Sequence, residues 1–472
     1  MSIAEGAVQP RHEEVHFVGI GGSGMSGLAR ILAADGVTVT GSDAKESDTL
    51  ADLRREFAIN ASAPHDASHV IKATLVVASA AISADNVELR AAELAHIPVI
   101  TRAEMLGRLM DRYAKSVAIS GTHGKTTTTG MAATVFQAAG LDPTVVIGGT
   151  LPALGSNARL GKSDIFIAEA CEAYGSFLEL RPAVALITNV EPDHLDFYGS
   201  AEAVDQSFRS FIDRVTRIVI LNADDPGTAK ITPVDRQDLT VVTYGIDAHA
   251  DVKAMNLEFD GGSARFDIVF GGLMLGSVHL SVPGRHNVSN ALGVIALGLT
   301  FGINLAQMAD ALKTFCGTGR RFEHLGSAPN GAQVIDDYAH HPTEIRATLA
   351  AARQSYGSNR IVAVFQPHLP SRTQDFMQEF ASSFGDADLV VLTDIYLARE
   401  NARPGLTGET LFDKTRSVLG TESVKYVGQI TDVASTVFNM THDGDVVVCM
   451  GAGEDIRAIG EQLVSGSFRS DK

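Results

Sequence analysis

Val117-Ala118-Ile119-Ser120-Gly121-Thr122-His123-Gly124-Lys125-Thr126-Thr127 sets an apolar run directly against a glycine-containing turn. The apolar residues predict a buried strand, and residues 128–139 predict a helix after the turn. Such a turn lets backbone N–H groups converge on an anion, and the helix adds the positive end of its dipole. Lys125 then reaches the terminal phosphates of a nucleotide, and the Thr126 hydroxyl suits a magnesium ion. A strict P-loop carries glycine five residues before Gly124, where this chain has Ile119, so the loop is a shortened variant. Gly121, Thr122, His123, Gly124 and Thr127 complete the candidate ATP loop.

Around this loop lie 472 residues, 45% of them hydrophobic, and at about 150 residues per domain the length points to three domains. The net charge of −18, with no Lys/Arg-rich run, argues against nucleic acid and against an anionic membrane surface as partners. Cys171, Cys316 and Cys449 offer no pair at a metal or redox spacing, which fits a reducing, cytoplasmic compartment. Residues 1–14 carry acids and lack an apolar core, unlike a signal peptide. Residues 286–309 are uncharged, and Gly293, Gly298, Gly302 and Asn304 are expected to break them into two buried helices rather than a membrane span.

Strand–helix alternation divides the chain into three modules, expected at 1–112, 113–324 and 325–472, all α/β with mostly parallel sheets. The first opens on an apolar strand running into Gly19-Ile20-Gly21-Gly22-Ser23-Gly24-Met25-Ser26-Gly27, which fits G-x-G-x-x-G twice. A second strand, 37–42, ends in Asp43, where a ribose hydroxyl would be read, and a third ends ahead of Ser79. This fingerprint leaves a dinucleotide-dependent oxidoreductase open as a rival reading.

In the second module, strand 164–168 delivers Glu169, a natural magnesium ligand beside the phosphate loop. Strand 184–188 leads into Asn189-Val190-Glu191-Pro192-Asp193-His194-Leu195-Asp196, a polar cluster at the same sheet edge, although His194 alone could be an ordinary satisfied histidine. His286, Asn287 and Asn290 open a helix, with the two asparagines on one face able to hold an adenine edge. Arg320-Arg321 reads as a phosphate contact or as an exposed basic pair. In the third module, strand ends carry Asp336-Asp337-Tyr338-Ala339-His340-His341 and Gln366-Pro367-His368-Leu369-Pro370-Ser371-Arg372, and a metal site at the paired histidines is disfavoured because adjacent side chains project differently.

These motifs resemble the Mur ligases along the whole chain: the glycine run 19–27, the stretch Ile97-Pro98-Val99-Ile100-Thr101-Arg102-Ala103-Glu104-Met105-Leu106, the phosphate loop, Asp193-His194-Leu195-Asp196, Arg285-His286-Asn287, Arg320-Arg321-Phe322-Glu323 and residues 336–344. The resemblance implies an N-terminal Rossmann-like domain binding a UDP-sugar through Gly21, Gly22, Ser23, Gly24, Met25, Asp43 and Ser79. It implies a central ATPase and a C-terminal Rossmann-like domain that holds an amino acid. Lys125, Glu169 and His194 would be catalytic, and Thr126, Glu169 and His194 would hold Mg²⁺. Asn287 and Asn290 would read adenine, His286 and Arg321 would complete the ATP site, and Asp336 or Asp337 would lie near the ribose. Tyr338, His340 and Arg372 would frame the amino acid.

The implied reaction activates the lactyl carboxylate of UDP-N-acetylmuramate with ATP and joins it to L-alanine, in a monomer or weak homodimer. Members of the family often have aspartate where Cys171 stands and arginine where Leu369 stands. Ligases for later residues carry a carbamylated lysine after the Asp-His motif, and no lysine occurs between Ser163 and Ala229, which fits the alanine-adding branch or the tripeptide-recycling ligase.

Overall fold

A computed structural model describes residues 14–152 and 155–468; apart from Glu14, the N-terminal stretch assessed above lies outside them. Each third of the chain builds its own sheet. The first sheet is parallel, in the order Asn60–Ser62, Thr38–Ser42, Glu14–Val18, Leu75–Ala78, Val99–Thr101. Its order reverses between Glu14–Val18 and Leu75–Ala78, and the crevice at such a reversal is where open α/β sheets bind ligands. Gly19 and Ser79 leave the two strands at that point, and the Ser79 N–H donates to the Val18 carbonyl at 3.1 Å.

The central sheet has ten strands. Its parallel heart runs Thr240–Gly245, Ile218–Asn222, Val184–Ile187, Lys115–Ser120, Ile165–Glu169, Thr144–Leu151. Strands such as Val184–Ile187 are buried throughout, so they read as unbroken apolar runs. Val252–Asp260, Ser263–Phe270 and Leu273–Leu280 extend the sheet as an arm of antiparallel neighbours. Sequence analysis assigns none of these three. Buried Phe266 and Ile268 alternate with exposed Arg265 and half-buried Asp267, a weaker signal than an apolar run.

The third sheet orders Glu323–Ser327, Gln333–Asp337, Val446–Met450, Ile361–Phe365, Leu389–Leu392, Val424–Tyr426, antiparallel only at the first pair. Glu323–Ser327 straddles the expected seam at 324/325 and pairs with Gln333–Asp337, so the seam belongs ahead of Glu323.

The long uncharged stretch does form two helices, Arg285–Thr300 and Leu305–Thr314. Only Gly302 and Asn304 break it: Gly302 has φ +74°, and the Asn304 side chain caps the second helix. Gly293 and Gly298 lie inside the first helix instead, where the absent Cβ lets Tyr244 and Met308 approach closely. Among the described residues no helix is long and apolar enough to cross a membrane.

Candidate active site

Strand Lys115–Ser120 ends in the phosphate loop, and helix Lys125–Ala138 begins at Gly124 with no side-chain cap, so its first-turn N–H groups remain open to an anion. Gly121 is required on two counts. Its φ is +131°, and a Cβ would meet Thr188 Oγ1 at 2.1 Å. The loop is stitched to the neighbouring strand end: Thr122 N–H donates to the Asn189 carbonyl, His123 N–H to Asn189 Oδ1, and Thr188 Oγ1 to the His123 carbonyl. Lys125 Nζ donates to the carbonyls of Gly121 and Thr122 at 2.6 and 2.9 Å and lies 2.7 Å from Glu172 Oε2. Burial opposes its charge, but Glu172, with Cys171 and Glu169 behind it, holds the ammonium pKa above its ordinary value.

Thr126 Oγ1 donates to Glu169 Oε2 at 2.9 Å, and Gly148 N–H holds the same oxygen at 2.8 Å. A hydroxyl and a carboxylate brought together at a helix N-terminus are a hard-oxygen donor set that fits Mg²⁺. His194, in the left-handed region at φ +53°, puts Nε2 3.8 Å from Glu172 Oε1 and 3.7 Å from Asp193 Oδ2. Thr126, Glu169, Glu172 and His194 all line one cavity of about 940 Å³. Burial pushes the Cys171 thiol up to about 11, so this cavity carries a neutral thiol beside Glu172.

A second cavity, about 280 Å³, adjoins the first across His123, Gly124, Arg321 and Glu344. His286, Asn287, Asn290, Thr127 and Asp337 line it. Asn290 Nδ2 donates to Asn287 Oδ1 at 3.2 Å, and Asn287 Nδ2 donates to the Pro283 carbonyl, so the two amides are held as one unit. The paired arginines divide. Both lie over the Tyr338 ring and line the larger cavity, but Arg320 also donates to Asp336 and to the carbonyls of Gly451 and Gly453, while Arg321 lines the smaller cavity as well. Of the two candidate aspartates, Asp336 is fully buried, bound by Arg320 and Arg457, and lines neither cavity. Asp337 is the one at the second cavity, where burial raises it to about 6 against the pull of Arg321.

Tyr338 and His340 open onto the larger cavity, and burial holds the His340 imidazole neutral, near 3. Arg372 does not join them. Its guanidinium is buried and donates from both Nε and Nη2 to Asp193, at 3.0 to 3.2 Å, joining the third module to the Asp-His loop of the second. Burial opposes the Asp193 charge, but Arg372 outweighs it and holds the carboxyl well below its usual range.

In the first module, helix Ser23–Ala34 also starts uncapped, at Gly22, and Ser23 lines the larger cavity. Asp43 Oδ2 accepts from Gly21 N–H at 2.8 Å, so this carboxylate shapes the glycine loop directly. Gly24 faces the Arg102 guanidinium, and Ser79 packs against Gly19. The Met25 side chain is buried in the hydrophobic core, so only its first-turn backbone is left to face a ligand.

Sequence reasoning missed Glu191 and Glu344 as site residues. Both flank His123: Glu344 Oε1 lies 3.1 Å from its Nδ1, and Glu191 Oε2 lies 3.5 Å from its Nε2. Burial opposes the imidazolium, but the two carboxylates raise His123 to about 9. Both acids stand inside quoted motifs; their pairing across 153 positions of chain is what the sequence hides. His123, Glu191 and His341 also bring three ligand atoms within 4.8 Å of one another, but a proton so firmly held on His123 makes this an ionic network.

Three family models match in succession: the Mur ligase family catalytic domain over 14–114, the Mur ligase middle domain over 119–298 and the Mur ligase glutamate ligase domain over 320–453. A UDP-N-acetylmuramate–L-alanine ligase of Salinibacter ruber is 46% identical over 463 residues, covering 97% of this chain and 96% of its own. Another, of Trichlorobacter lovleyi, is 44% identical over 458 residues, covering 96% and 98%. Among solved structures, the UDP-N-acetylmuramate–alanine ligase of Thermotoga maritima superposes with TM-score 0.80 at 30% identity, over 97% of this chain and all of that one. A murein peptide ligase of Psychrobacter arcticus shares the fold, with TM-score 0.71 at 24% identity over the same shares.

Proposed function

The chain belongs to the Mur ligase family, and from that premise we propose that it joins L-alanine to the lactyl carboxylate of UDP-N-acetylmuramate at the expense of ATP, in peptidoglycan precursor synthesis. It is an ATP-dependent amide-bond-forming ligase. The observation that carries the substrate reading is the single large cavity that reaches from Ser23 of the first glycine loop, past Lys125, to Tyr338 and His340.

A carboxylate is a poor electrophile, so amide formation requires its activation. The γ-phosphoryl group passes from ATP to the lactyl carboxylate, ADP leaves, and the alanine amine attacks the acyl phosphate and expels phosphate. Charge spreads over the phosphoryl oxygens during transfer, so the protein's part is positioning and electrostatics. The open amides of the phosphate loop cradle the phosphates, and Lys125 and Arg321 balance their charge. Thr126, Glu169 and His194 would hold Mg²⁺, which supplies further charge stabilisation at the phosphates when bound. Asn287, Asn290, His286 and Asp337 frame the nucleoside, and the uncapped helix at Gly22, with Arg102 beside it, takes the UDP diphosphate. Neutral His340 and Tyr338 face the amine. The compartment we assign is the cytoplasm, where ATP and nucleotide sugars meet.

Phosphate release measured with ATP, Mg²⁺ and UDP-N-acetylmuramate tests the reading, with L-alanine in one arm and the L-alanyl-γ-D-glutamyl-meso-diaminopimelate tripeptide in the other. L-alanine is expected to support turnover. A response to the tripeptide alone transfers the chain to the recycling ligases, and NADH binding without ATP binding would make it an oxidoreductase.

A further inference from the structure

Glu344 is the third residue of helix Pro342–Tyr356, and its two carboxylate oxygens serve two different domains. Oε1 accepts from His123 Nδ1 of the phosphate loop at 3.1 Å. Oε2 accepts the backbone N–H groups of His340 and His341, at 3.0 and 3.3 Å, and so shapes the loop that leads from Asp337 into the helix. One residue earlier, Thr343 Oγ1 donates to Glu191 Oε2 at 2.7 Å, the oxygen that also lies beside His123 Nε2. The titratable groups facing His123 are thus Glu344, Glu191 and the His341 ring, whose centroid is 4.6 Å away. Burial opposes the Glu344 charge, but the charged His123 and Arg321 outweigh it and hold the carboxyl well below its ordinary value.

We propose that Glu344 is a positioning residue that couples the phosphate loop to the amino-acid loop: its bond to His123 sets the pose of residues 338–341, so the seat for the amino acid forms only when the central and C-terminal domains meet at the nucleotide. The proposal rests on the ligase reading above and goes further, since it assigns the coupling of the two half-sites to one side chain. A carboxylate offers two acceptor oxygens, and here both are used by donors. A carboxamide offers one, so Glu344→Gln must release either the imidazolium or the loop amides.

The test is steady-state phosphate release by the full chain with ATP, Mg²⁺, UDP-N-acetylmuramate and varied L-alanine, for wild type, E344Q, H123A and the double variant. A wild type without turnover overturns the ligase reading itself, whereas an active wild type isolates the coupling. E344Q is expected to raise KM for L-alanine by about tenfold or more while KM for ATP moves by less than about threefold, the loss of one charge-assisted hydrogen bond felt at the alanine seat. H123A is expected to raise KM for L-alanine similarly, and the double variant no further, because both remove the same bond. Should E344Q fail to fold, H123A reads the same alanine dependence from the other end. An unchanged KM for L-alanine in either folded variant, or effects that multiply in the double variant, overturns the proposal.

Discussion

Lys125 carries two burdens that mutation can separate. It neutralises buried Glu172, and in the proposed reaction it serves phosphoryl transfer. Lys125→Ala is expected to lower kcat by about a hundredfold or more, since removing a positioned cation from a charge-developing transition state costs about 3 kcal/mol. It should also lower Tm, because Glu172 is left buried without a partner. Adding Glu172→Gln should recover the Tm and leave turnover absent; recovery of both would remove Lys125 from the chemistry. His123 supplies a pH signature. Its folded pKa, about 9, stands above the ordinary histidine value, so its contribution to stability is fully present below about 6.5 and is lost as pH rises through 9. Glu191, lowered to about 2 against the cost of burial, contributes above about 4.5 and loses that contribution as pH falls through 2. Denaturant midpoints from pH 6 to 10 should fall in the wild type and stay flatter in His123→Asn.

At the scale of elements, the short helix Pro370–Asp375 is positioned by Arg372, and the Asp-His loop by Asp193, through one buried pair. Breaking a buried pair from one side costs about 3–5 kcal/mol, so Arg372→Ala should lower the unfolding free energy by that order and, because Asp193 adjoins His194, depress ATP-dependent isotope exchange as well as alanine use. Exchange that persisted at the wild-type rate would return Arg372 to the amino acid alone. The stretch 163–229 carries no lysine to carbamylate, so activity is expected to survive rigorous removal of bicarbonate; rescue of a depleted preparation by bicarbonate would count against this. Many elements with a single buried environment were legible in the sequence. Strands such as Val184–Ile187, the phosphate loop, the first glycine loop and the Asn287–Asn290 face follow from local pattern, whereas the parallel strands Thr144–Leu151, Ile218–Asn222 and Thr240–Gly245 were not read from it. What escaped depends on partners remote in the chain: Arg372 on Asp193, Asp336 on Arg457, Glu344 on His123. The antiparallel arm escaped for a different reason, since its half-exposed strands dilute the apolar signal.

Taken whole, the molecule sets the loop ends of three sheets around one space, and a ligand in that space must be felt by all three domains. A non-hydrolysable ATP analogue with Mg²⁺ at about one hundred times its Kd should stabilise the wild type by about 2.7 kcal/mol, visible as a rise in Tm. The same additions should shift Lys125→Ala much less, and an equal shift in both would place the nucleotide elsewhere. The division of that cavity along the chain also bears on how the enzyme is made. Its phosphate loop is complete by Thr127, whereas Asp337, His340, Glu344 and Arg457, which wall the space, come from the last third of the chain. At about 5–20 residues added per second, roughly 10–40 s separate the emergence of Thr127 from that of Glu344. A nascent polypeptide therefore presents its phosphate loop before the residues that wall the space have been translated.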